Sequence, residues 1–138
     1  MNRIRALSPL LLFVPIACSQ QSSSEVLSQH LKTVHSWTAT AQMVAESWTQ
    51  GSVPQRYAKQ TLEKTQQEIA KETESLFNEL PQTRSQFAPS LQQLQQTIQQ
   101  LSIAVEQSEK AAIAAPLKQL IIEEQQLQTL IRAQGTSP

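Results

Sequence analysis

The stretch Trp48-Thr49-Gln50-Gly51-Ser52-Val53-Pro54-Gln55 decides the fold. Gly51, one of two glycines in the chain, suits the left-handed residue that closes a helix. Ser52 to Gln55 has the form of a capping box, with Ser52 as N-cap and Gln55 three residues on. Pro54 then falls in the first turn, where a missing N–H loses no intrahelical bond. One helix ends and another begins within a few residues, so the two must run antiparallel.

Upstream, Leu27, Leu31, Val34, Thr38, Ala41, Ala45 and Trp48 recur at alternating steps of four and three, with Trp37 and Val44 widening the stripe. This spacing is one buried face of an amphipathic helix over residues 24–50. Downstream, Ala58, Leu62, Thr65, Ile69, Leu76 and Leu80 give a second helix over 53–79. Pro81 ends it, and 81–89 is the longest expected break. A third stripe, Phe87, Leu91, Leu94, Ile98, Leu101 and Val105, predicts a helix over 88–107. Its end reads in two ways. In the preferred one Ser108 caps a fourth helix over 109–133 that buries Ile113, Leu117, Leu120, Ile121, Leu127 and Ile131 and is kinked at Pro116. In the other, the third helix continues to Ala114 and the fourth restarts at Pro116. Residues 134–138 are expected to be a disordered tail.

Composition supports the same class. Aspartate is absent, and Gln, Glu, Ala and Leu dominate, all helix formers, while strand formers are sparse. The expected fold is all-α, an antiparallel up-down-up-down four-helix bundle of one domain, 24–133. The alternative is a pair of long helical hairpins that complete a core by dimerising. Cations are scattered singly, without a basic stripe or interleaved aromatics, so no nucleic-acid partner is expected.

The N-terminus carries a different message. Arg3 and Arg5 precede an apolar run from Ala6 to Ala17, the layout of a secretory signal. Twelve helical residues would span about 18 Å, short of a bilayer core. The run ends in Pro15-Ile16-Ala17-Cys18, and Cys18 is the only cysteine. This segment resembles the lipobox of bacterial lipoproteins, although Pro15 stands where that family most often has leucine. The resemblance implies cleavage between Ala17 and Cys18, acylation of Cys18 (the palmitate class of modification) and attachment to a membrane by two or three acyl chains. Ser19, in place of an inner-membrane-retaining aspartate, implies the outer membrane facing the periplasm. Residues 1–17 are then a signal peptide and 18–23 a lipidated cysteine with a flexible polar linker. An ordinary cleaved signal would instead leave the domain free in the periplasm. After cleavage nine cations face eleven glutamates, a net charge of about −2.

The remainder is poor in chemistry. His30 and His35 lie five residues apart, about 140° around a helix, and do not offer both rings to one metal. No metal or other cofactor is expected. Glu72 and Glu124 fall near apolar-stripe positions and are candidate acid or base groups, although both are expected to reach outward at helix boundaries. His30 reads as a core-rim residue and His35 as solvated. No nucleophile elbow or phosphate-binding loop occurs, and no catalytic residue or enzyme is expected. Trp37 and Trp48 share a face, and Trp48, Val53 and Tyr57 are expected to cluster at the first hairpin tip as packing or as a partner contact. The expected function is non-catalytic: an anchored binding or assembly subunit that meets an envelope protein. A carrier of small molecules or lipid between the helices is the alternative.

Overall fold

The computed structural model describes the backbone of residues 13–135 and the side-chain surroundings of residues 23–133. Residues 1–12, most of the expected signal peptide, and residues 136–138 of the expected tail lie outside the described residues, as do the side chains of Ala17 and Cys18.

The protein is an all-α four-helix bundle: α1 (Phe13–Thr49), α2 (Gln55–Glu79), α3 (Arg84–Glu106) and α4 (Ala114–Gly135). Each helix packs on its two neighbours in the order α1, α2, α3, α4 and back to α1, with little contact across the diagonal between α1 and α3. The expected apolar positions of the first three helices are buried, from Leu27 to Trp48, Ala58 to Leu80 and Phe87 to Val105, except Trp37, which is half-buried. The four stripes close one core within a single chain. Burial of each Leu, Ile or Phe contributes roughly 1.5–3 kcal/mol, enough for packing to override local breakers. Among the described residues no helix is long and apolar enough to cross a membrane.

Several boundaries differ from expectation. The α1 backbone is helical from Phe13, through the segment expected to be a linker. Pro15 falls in the first turn, where it leaves no bond unmade, and no glycine interrupts the serines and glutamines that follow. α2 starts at Gln55, not Val53, because Pro54 is extended (φ −68°, ψ 153°) and occupies the N-cap position. The capping box does not form: no side chain caps α2, and the Gln55 amide is engaged elsewhere.

The expected break over 81–89 shrinks to a single 3₁₀ turn, Pro81–Thr83, followed directly by α3. Thr83 stabilises that turn by donating its hydroxyl to the Leu80 carbonyl (2.7 Å). Pro89 lies inside α3. It removes the donor that would meet the Ser85 carbonyl, but Pro89 and Ser85 are both exposed, so water can serve instead. A net hydrogen bond is worth about 1 kcal/mol, and fully burying Phe87 returns more than that. The helix therefore runs through the proline.

The third connection lies at 107–113, near the preferred reading, but Ser108 is not an N-cap. It has φ +57° and closes α3. A 3₁₀ turn, Lys110–Ile113, follows, and α4 begins at Ala114. Pro116 is then the third residue of α4, in the first turn, and no interior kink is required. The later start also rotates the buried stripe. Its centre runs Ile113, Pro116, Leu120, Glu123, Leu127, with Leu117 and Ile131 only half-buried and Ile121 at the margin.

Candidate functional site

Two turns, 50–54 and 107–113, lie together at one end of the bundle. In the first, the Gly51 N–H donates to the Trp48 carbonyl (3.0 Å) and the Ser52 N–H to the Ser47 carbonyl (2.8 Å). In the second, the Ser108 N–H donates to the Val105 carbonyl (3.0 Å) and the Glu109 N–H to the Ala104 carbonyl (2.9 Å). Both are Schellman closures, with Gly51 (φ +77°) and Ser108 as the left-handed residues. Gln55 joins them. Its Nε2 donates to the Glu106 carbonyl (3.2 Å) and to the Val105 carbonyl (2.8 Å), which also accepts from the Ser108 N–H, and its Oε1 accepts from the Ser108 hydroxyl (2.9 Å).

Trp48 fills the space beneath, only 4% exposed, with Lys110 Nζ 5.7 Å from the ring centroid. Val53 packs half-buried against the same core. Tyr57 stands apart at 53% exposure. Of the three residues expected at a partner contact, Trp48 closes the bundle end, Val53 assists it, and Tyr57 alone offers a large outer surface. Trp37, on the face shared with Trp48, is half-buried at the core edge.

Sequence reading missed the companions of Tyr57. Met43 (63% exposed), Ile103 and Ile122 are the other exposed large apolar side chains among the described residues, one on each remaining helix. Counted at 1.5 Å per residue, all four fall within about 12 Å of the helix ends that meet these turns. An apolar residue off the core stripe was the available signal for each of them.

The histidines face different neighbours, as their angular separation predicts. At the opposite end of the bundle His30 reaches α2, where Nδ1 lies 2.6 Å from Glu72 Oε1 and Nε2 lies 3.2 Å from Glu79 Oε2. Burial works to lower its pKa, but hydrogen bonds to Glu79 and Glu72, with the charges of both, outweigh this and hold it above the ordinary histidine value. His35 is not solvated as expected. It lies half-buried against α4, with Nε2 3.4 Å from Glu124 Oε1, a contact that lacks hydrogen-bond geometry. Glu72 and Glu124 therefore do not reach outward. Each answers one histidine. The two glutamates of His30 lie at opposite ring nitrogens, and among the described residues no group of three or more His, Cys, Asp or Glu is arranged to hold a metal.

Glu123, neighbour of the expected Glu124, is the carboxylate that enters the core, 6% exposed between α3 and α4. Steps of three and four from Ile113 through Pro116 and Leu120 reach it, once the helix start is known. The chain matches no protein-family model, no curated protein and no solved structure.

Proposed function

We propose that this protein is a lipid-anchored, non-catalytic accessory subunit of the bacterial envelope, held by acylated Cys18 at the outer membrane and binding a partner protein with the end of the bundle remote from its anchor. The observation that carries this reading is the distribution of exposed apolar side chains. Met43, Tyr57, Ile103 and Ile122 ring the end that α1 reaches at Thr49, and the His30 end, nearer to Cys18 along α1, has no counterpart among the described residues. A tethered bundle meets a partner most readily with its distal end, and scattered large apolar groups there provide contact area without a preformed pocket.

Two variants test the two halves. Cys18→Ser is expected to move the protein from the membrane to the soluble fraction of fractionated cells; unchanged membrane retention refutes the anchor. Met43→Ser combined with Tyr57→Ser leaves the core intact and is expected to reduce the specific protein recovered after crosslinking in membranes at least tenfold. Equal recovery with wild type and variant counts against the distal contact.

A further inference from the structure

Among the described residues, the contacts of His30 are the only side-chain hydrogen bonds that join α1 to α2. They fall where the bundle runs out: Glu79 is the last residue of α2, and α1 extends back from Val26 through Cys18 to Phe13. Glu79 also lies badly for its own helix. A carboxylate in the last turn faces the negative end of the helix dipole, and the last turn of α2 holds no basic residue. The cation that answers it comes from α1.

The protonated ring has a donor for each glutamate, Nδ1 for Glu72 Oε1 (2.6 Å) and Nε2 for Glu79 Oε2 (3.2 Å). The neutral ring has one. The shorter bond, to the less exposed Glu72, keeps the remaining proton, so Nε2 then turns a lone pair toward the Glu79 carboxylate. A tie becomes a contact between two acceptors. Glu72 and Glu79 are the charged groups that face the ring from α2, and no residue of α3 or α4 lines the opening of about 350 Å³ beside it. On α1, Val26, Gln29 and Thr33 complete that opening, whereas Glu25 and Lys32 line a separate one. Water reaches the ring through the opening, so bulk pH sets its charge.

We infer that His30 is a proton-operated latch: charged, it clamps the 26–33 segment of α1 onto the last turn of α2; neutral, it releases Glu79 and lets both segments fray. The rest of the bundle stays closed, because Leu31, Val34, Leu62 and Ile69 are fully buried and hold their layers without it. Burial works to lower the pKa of the ring, but its bonds to Glu79 and Glu72 and their charges outweigh this and raise it. The latch is therefore closed below about pH 6.5 and opens as pH rises through the higher folded value. It stands without the anchor and without the distal contact.

The test is amide hydrogen exchange of the full chain in detergent micelles at about pH 5.5 and about pH 8.5, with rates corrected for intrinsic exchange. Between these, protection in wild type is expected to fall about fivefold at residues 28–33 and 76–80, the scale of one lost hydrogen bond, and to hold at residues 41–48. In His30→Gln, and in Glu79→Gln, an exposed change that leaves the core untouched, the fall at 76–80 is expected to vanish. An equal fall at 41–48 means that pH acts on the whole bundle and overturns the latch. So does a fall that persists in Glu79→Gln, or the lack of any fall in wild type; these two results suffice if His30→Gln fails to fold.

Discussion

At the end of the bundle that carries the turns 50–54 and 107–113, closure comes from backbone hydrogen bonds, the Gln55 amide and buried Trp48. At the other end His30 spans from α1 to Glu72 and Glu79 of α2. The first set contains no titrating partner in its hydrogen bonds, whereas the second depends on a ring that donates from both nitrogens only when protonated. One bundle thus has an end closed without histidine, where the titratable link is the exposed Lys59–Glu106 pair (3.3 Å), and an end that pH can loosen through His30. The first is also the end with exposed apolar groups, the proposed partner surface.

The largest effect expected is at the closed end. Trp48→Ala removes a buried indole and leaves a cavity beneath both turns, with an expected loss of about 3–5 kcal/mol in denaturant unfolding. A loss below about 1 kcal/mol would mean that the turns hold this end without their aromatic floor.

His30 sharpens the contrast through pH. Its folded-state pKa is raised above the unfolded value, so its stabilisation is fully present below about pH 6.5 and is lost as pH rises through the higher folded value. His30→Gln is expected to cost about 1 kcal/mol at about pH 5.5 and much less at about pH 9, measured as the difference in unfolding free energy from wild type. A gap that stays constant across that range would show that the ring contributes packing alone.

Much of this architecture can be read from residue spacing, because burial in α1 and α3 follows steps of three and four, and in α2 the same steps are broken once, between Ile69 and Leu76. Failures occur where a residue has two physical uses. Pro89 reads as the end of a break and Pro116 as a kink, yet one sits with exposed surroundings inside α3 and the other in the first turn of α4. Gln55 reads as a local cap, but its amide serves carbonyls fifty residues away in sequence. Glu123 was passed over because the expected α4 register placed its neighbour nearer the core. For the candidate contact, the hairpin tip and Tyr57 were legible, whereas Met43, Ile103 and Ile122 required knowledge of which helix faces remain uncovered.

The smallest effects separate the two turns themselves. A Cβ at Gly51 would meet nothing within 4 Å, so Gly51→Ala carries only the conformational cost of a left-handed alanine, about 1 kcal/mol. Ser108 already bears that cost, offset in part by its exposed hydroxyl bond to Gln55. Ser108→Gly relieves the backbone but loses the hydroxyl bond and gains unfolded-state freedom, leaving an expected net stabilisation of a few tenths of a kcal/mol. The two substitutions should therefore shift the denaturation midpoint in opposite directions. If Ser108→Gly destabilises by about 1 kcal/mol or more, the serine–glutamine bond holds the second turn, and Gln55→Ala, which also removes the bonds to the Val105 and Glu106 carbonyls, should then cost at least as much. The two closures would in that case share a backbone geometry but not a cause: glycine freedom in one, a side-chain clasp in the other.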